Sequence, residues 1–290
     1  MRPTDQRELR LFLVPLAVVL ILTLVPPALY VIYLSFVSWG GSAVTPPQFV
    51  GFGNIVTMFK DTRFWLDLVR TFYYSSSAVV LSLAIGFLFA LLLQRKVLGS
   101  RVFQSLLLLP MVSTPVAVAV TWVIMYNPLS GVFNWFLSLV GIVPLPWLSA
   151  RLSAIPSIVV VDAWQGAPLV MIIVLAAFQA IPDEPIEAAT IDGASAWQRF
   201  RHIVLPMLKP YLIVAVTLRI VDSMKNFDLI YAMTGGGPGE ASETLNLYAF
   251  KSGFFYFDFG YSAILSITLF LLIAGLSKVL AKWRDRQWAY

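Results

Sequence analysis

Six long apolar stretches, separated by polar turns, govern what this chain can fold into. A helix that crosses a bilayer needs about 20 predominantly apolar residues. The sequence supplies such runs at residues 11–37 (without a charge), 71–93, 102–126, 155–180, 211–233 and 259–277. With 59% hydrophobic and 12% charged residues, the chain carries more apolar surface than one soluble core of 290 residues hides. The expectation is an all-α membrane protein, a polytopic bundle of about six transmembrane helices spanning residues 11–283, with a short N-terminal segment (1–10) and tail (284–290) in the cytoplasm. Residues 11–37 follow a basic start (Arg2, Arg7, Arg10), which also opens a signal peptide. The run exceeds the roughly 7–15 residues of a signal core, so a membrane helix fits better.

Composition narrows the function classes. There is no cysteine and one histidine, His202, so thiolate metal sites and cysteine nucleophiles are excluded and histidine chemistry is scarce. No metal site or cofactor is expected on this chain. A pI near 9.5 could point to nucleic acid. The basic residues, however, are spread over the turns between apolar helices, and nucleic acid is not an expected partner. A membrane enzyme would need a nucleophile with a base or a metal cluster, which a lone His202 does not provide.

Lysine and arginine accumulate on the cytoplasmic side. With the N-terminus inside, Arg2, Arg7, Arg10, Arg95, Lys96, Arg101, Arg199, Arg201, Lys209, Lys278, Lys282, Arg284 and Arg286 fall on the inner side. The outer loops hold only Lys60, Arg63, Arg70, Arg151 and Lys251, so both termini are expected inside. Outer loops then cover residues 38–70, 127–154 and 234–258. Residues 129–143 are apolar but too short to cross, and are expected to lie along the outer face.

Residues 181–209 form the one long inner loop. Asp183 or Glu184 is placed to cap a helix with Pro185 in its first turn. That helix carries Glu187, Ala188 and Ala189, and Asp192-Gly193 ends it. Ser195 with Gln198 forms a capping box for a second helix, and Pro206 and Pro210 close the segment before the fifth span. Small side chains, Ala188, Ala189, Ala194 and Ala196, would let the pair plug into another protein's groove. From spacing alone an amphipathic pair on the lipid surface, dipping Trp197, Phe200 and Ile203, serves equally well.

The segment Glu187-Ala-Ala-Thr-Ile-Asp-Gly-Ala-Ser-Ala-Trp-Gln-Arg-Phe-Arg-His-Ile-Val-Leu-Pro206 resembles the EAA loop of ABC importer permeases. Asn226-Phe-Asp-Leu-Ile-Tyr-Ala-Met-Thr-Gly-Gly-Gly-Pro238, Glu243-Thr-Leu, Gly260-Tyr-Ser-Ala-Ile-Leu-Ser266 and Ser130-Gly-Val-Phe-Asn134 resemble the maltose-type and glycerol-phosphate-type permeases of carbohydrate importers. The resemblance covers roughly residues 70–283. It implies coupling helices that dock into an ATP-binding subunit, with Glu187, Ala188, Ala189, Asp192, Gly193, Ala194, Phe200, Leu205 and Pro206 in that loop. It also implies a second homologous permease subunit, two ATPase subunits that hold ATP and Mg, and an extracytoplasmic sugar-binding protein.

Charge inside a spanning helix is costly and marks a cavity or a partner. The fifth stretch carries Arg219, Asp222, Lys225 and Asp228 at intervals of three, an alternating stripe on one helix face that suits Arg219–Asp222 and Lys225–Asp228 pairing. The fourth adds Asp162, Trp164, Gln165 and a kinking Pro168. Trp164, Gln165 and Asn226 are residue types that bind sugars by stacking and hydrogen bonding. The same groups could instead tie helices together or, for Trp164, anchor at an interface.

No Gly-Lys dipeptide occurs, so no Walker phosphate loop is present and ATP must be hydrolysed elsewhere. The expected function is therefore a permease subunit importing a sugar by alternating access. Import of a sugar phosphate such as glycerol phosphate is the nearest alternative. A secondary transporter using Asp162, Asp222 and Asp228 is the rival class, and it leaves the alanine-rich inner loop unexplained.

Overall fold

The computed structural model describes residues 3–40, 46–94 and 99–288. Arg2, Arg95 and Lys96, on which part of the charge count rests, lie outside the described residues, as do the side chains of Arg7, Arg10 and Arg101. Among the described residues five helices are long and apolar enough to cross a membrane, and a sixth crossing is a bent pair. The chain divides into two compact units, residues 1–65 with 248–270, and residues 66–247 with 271–290.

In the first unit, α1 (Pro3–Ser35) runs into a two-residue ribbon, β1 (Val37–Ser38) with β2 (Gln48–Phe49), followed by α2 (Gly53–Lys60). Asn54 Nδ2 donates to the carbonyls of Ser35 (2.9 Å) and Val37 (3.0 Å), fastening α2 to the end of α1. From Leu13 to Tyr30 α1 leaves its large apolar side chains exposed, as a surface facing lipid or another subunit would, and only near its end does Leu34 become buried, against Val37 and Ala263. Asp61 begins α3 (Thr62–Leu93), which starts nine residues before the expected span. Arg63 and Arg70 are therefore helical rather than in an outer loop. The Asp61 carboxylate accepts from Tyr248 Oη on α12 (Leu245–Phe254) at 2.6 Å and from Tyr261 Oη on α13 (Phe259–Trp288). Burial pushes the Asp61 carboxyl up, but the two phenol donors and the N–H groups of Arg63 and Phe64 outweigh it and hold it below the ordinary carboxylate value. Arg63 lies over the Tyr248 ring, 4.5 Å from its centroid.

The second unit is organised around α7 (Ala154–Ala180), whose Val161, Ala163, Ala167, Val170, Met171 and Val174 are buried. It packs against α4 (Ser100–Val112), α10 (Leu205–Met224) and α11 (Asp228–Thr234). Two of the expected straight spans are broken. Residues 102–126 split into α4 and α5 (Pro115–Met125), bent by 97°. The cause is Pro115, which forces Thr114 into an extended conformation (φ −66°, ψ 137°). Residues 211–233 split at Lys225-Asn226-Phe227 between α10 and α11. The expected four-charge stripe therefore does not lie on one helix. The short α6 (Val132–Leu139) matches the apolar segment too short to cross.

Candidate functional site

The inner loop folds as a helix pair. Glu187, Ala188 and Ala189 sit on α8 (Glu184–Ile191), which buries no residue. Asp183 adopts helical angles and makes no capping bond, so the expected acidic cap is not formed. The α8 dipole is met instead by Glu184 and Glu187 in its first turn. Its end is a Schellman turn: Gly193 takes φ +80°, its N–H donates to Thr190 O (3.1 Å), and the N–H of Ala194 donates to Ala189 O (2.9 Å). Asp192 is the C-cap. Ser195 and Gln198 form the expected capping box at α9 (Ala196–Arg199), with Ser195 N–H donating to Gln198 Oε1 at 2.7 Å.

Pro206 does not close this segment. Phe200 opens a π turn, residues Phe200–Val204, which continues into Leu205 and Pro206 at the start of α10. Pro206 has no N–H for the carbonyl four residues back, and the wider turn absorbs that missing bond. Residues Ala196–Met224 thus run as one helical stretch of 29 residues.

At the far end of that stretch lies a buried charge cluster. The Arg219 guanidinium, 1% exposed, donates from Nη2 to Asp162 Oδ2 (2.8 Å) and from Nη1 to Asp222 Oδ2 (2.9 Å). Its Nε donates to Ser82 Oγ (3.3 Å) on α3. It lies against Gly166 of α7, where a Cβ would stand 2.2 Å from Cζ; only glycine admits the guanidinium there. Lys225 Nζ is 3.6 Å from Asp222 Oδ1, so Asp222 bridges both cations and the expected Lys225–Asp228 pair does not form.

Both helix breaks meet this cluster. Asn226 Nδ2 donates to Tyr74 Oη (3.0 Å) and Asp162 Oδ1 (3.2 Å), while its Oδ1 accepts from Leu229 N–H (3.4 Å). Gln165 Nε2 donates to the carbonyl of Ser113 (3.0 Å), freed where α4 ends. Around them opens a cleft of about 690 Å³ whose walls include Asp162, Gln165, Asp222, Lys225, Asn226 and Asp228. Trp164 stands apart from it, packed edge-on against Trp122 at 5.6 Å in a cluster with Tyr126, Phe133 and Trp147. Sequence reasoning missed Tyr74, Ser82 and Gly166, the groups that hold Arg219 and Asn226. Gly166 at Asp162 plus four carried a signal, since it shares a helix face with that carboxylate.

Backbone that leaves the helix inside an apolar bundle is tolerated where it lines a cavity, and discontinuous helices around buried charge are the architecture of solute-translocating membrane proteins. Comparisons with known proteins agree. Residues 82–288 match the family described as binding-protein-dependent transport system inner membrane component. The chain is 38% identical over 276 residues to the Probable ABC transporter permease protein y4oQ of Sinorhizobium fredii, covering 94% of this chain and 88% of that protein. It is 36% identical over 275 residues to the Trehalose/maltose transport system permease protein MalF of Thermococcus litoralis, covering 94% and 92%. Among solved structures, a chain of a bacterial ABC transporter involved in the import of the acidic polysaccharide alginate superposes with a TM-score of 0.83 at 22% identity, over 98% of this chain and 96% of that one. The chain belongs to the inner-membrane components of binding-protein-dependent transport systems and is a multi-pass permease subunit.

Proposed function

We propose that this permease imports a sugar, mono- to oligosaccharide, handed over by an extracytoplasmic binding protein. It works beside a second homologous permease subunit and two ATP-binding-cassette subunits, on which ATP and Mg are held. Both termini and the α8–α9 pair face the cytoplasm, in keeping with the lysine and arginine distribution. The chemistry supplied by the ATPases is hydrolysis; this chain's part is to dock, to move and to line the route.

The observation that carries this reading is the unbroken stretch Ala196–Met224. At about 1.5 Å per residue it extends some 40 Å. One end holds the exposed helix pair, with Ile191 87% and Trp197 65% exposed, apolar groups suited to a partner's groove. The other end holds Arg219 and Asp222 on the cleft wall. Motion imposed on Glu187–Ala194 and Phe200 by ATPase closure is thereby delivered to the side chains around the cargo. Gln165, Asp222, Asn226 and Asp228 supply hydrogen-bond partners for sugar hydroxyls, with Asp162 behind them holding Arg219 and Asn226, and the similarity to a trehalose/maltose permease supports that cargo class.

Reconstitution of the full complex in vesicles tests it. Uptake of trehalose or maltose is expected to need both ATP on the ATPase side and the binding protein. Uptake by this chain alone under a proton or sodium gradient, without ATP, would refute the proposal.

A further inference from the structure

The charges on the cleft wall carry information about cargo beyond its being a sugar. Two basic side chains, Arg219 and Lys225, stand against three acidic ones, Asp162, Asp222 and Asp228. Arg219 is fully committed: Nη1, Nη2 and Nε each bind a partner, the side chain is 1% exposed, and Gly166 closes its remaining face. Lys225 leans on Asp222 at 3.6 Å. Asp228 is exposed to the cleft and, among the described residues, no cation pairs with it.

Resting on the sugar-importer reading, we infer that this wall selects neutral polyhydroxylated cargo against sugar phosphates and uronates, and that Asp228 is the specificity-determining residue. Phosphate and carboxylate recognition uses charge-assisted donors such as an open guanidinium fork. Here the one guanidinium is occupied, and an incoming anion would meet a Lys225 whose charge is already shared with Asp222, while facing Asp228. A sugar hydroxyl, in contrast, donates to a carboxylate. Because a narrow cleft with low-dielectric walls focuses its own field, one unpaired carboxylate biases which ions enter.

The absence of cysteine makes the field directly measurable. In the assembled transporter with cysteine-free partner subunits, Ser113→Cys and, separately, Leu169→Cys each place one thiol on the cleft wall. Their rates of modification by a cationic and an anionic methanethiosulfonate are compared at low salt, each normalised to that reagent's rate with a free thiol. The cationic reagent is expected to be favoured about tenfold, and Asp228→Asn to lower that ratio about threefold. Parity, or preference for the anionic reagent, at both positions overturns the charge selection. A ratio that Asp228→Asn leaves unchanged at both positions overturns the role of Asp228. No ATP, binding protein or cargo enters the measurement, so its failure with ATP-driven uptake intact would sink this inference and leave the importer reading standing.

Discussion

Arg219 of α10 and Asp162 of α7 face one another at 2.8 Å, both withdrawn from solvent, and this contact ties together the helices that form the cleft. An ion pair buried this way adds little to stability over an apolar pair, yet removing one partner strands the other.

Asp162→Ala is accordingly expected to cost about 3–5 kcal/mol, read as a fall in the unfolding temperature of the complex in nanodiscs. The double variant Asp162→Leu with Arg219→Met should recover most of that loss, because Asp222 is half-exposed and keeps Lys225. A double variant as unstable as Asp162→Ala would show that the pair itself, rather than the stranded guanidinium, sets the cost.

Gly166→Ala drives a methyl into the Arg219 guanidinium and should destabilise by about 1–3 kcal/mol. Combined with Arg219→Met the two changes are expected to be non-additive, the glycine substitution costing much less once the guanidinium is gone. Simple additivity would mean that the alanine clashes with something else.

At Asn134 on α6, the side-chain amide donates to the carbonyls of Pro128 (3.2 Å) and Leu145 (3.1 Å) and accepts from Leu145 N–H (3.0 Å) and Trp147 Nε1 (2.9 Å). All of its capacity is used, inside the turn that carries the aromatic cluster. Asn134→Ala leaves buried groups unpaired and should cost about 3 kcal/mol. Faster proteolysis between residues 127 and 150 would report the loosened segment.

The Asp61 cluster predicts a pH dependence. Its carboxyl titrates below the ordinary 3.8, so its contribution is complete at neutral pH and is lost as acid carries the pH below about 3.8, through the folded-state value. Tyr261→Phe removes one donor and should move that loss to higher pH, seen in unfolding temperatures between about pH 3 and 6. An unmoved or lowered midpoint would contradict the assignment.

Much of this architecture was legible in the sequence. The apolar runs, the Gly193 terminus and the Ser195–Gln198 box rest on local rules, of segment length, a left-handed backbone and a reciprocal cap; the last two are found as expected, and the runs appear as five long helices and one bent pair. The resemblance of residues 187–206 agrees with the family match. What was not legible depended on tertiary context. Asn226 ends α10 because its amide binds Tyr74 and Asp162, partners 152 and 64 residues away, so the charge stripe read as one helix face is split. Pro206 reads as a stop, yet a π turn carries the helix through it. Trp164, which by its chemistry suits either cargo or an interface, packs against Trp122, while Gln165, its neighbour on α7, is the residue on the cleft wall.

The role proposed for the α8–α9 pair is to pass ATPase closure to the cleft. Substrate-stimulated ATP hydrolysis and uptake, measured together in the reconstituted complex with Glu187→Trp or Gly193→Val, test it most directly. Valine at φ +80° strains the turn between the two helices by about 1–2 kcal/mol, and tryptophan blocks the small face beside it. Both activities are expected to fall at least about tenfold with the complex still assembled. If both survive at parental levels, the coupling role of this loop is wrong.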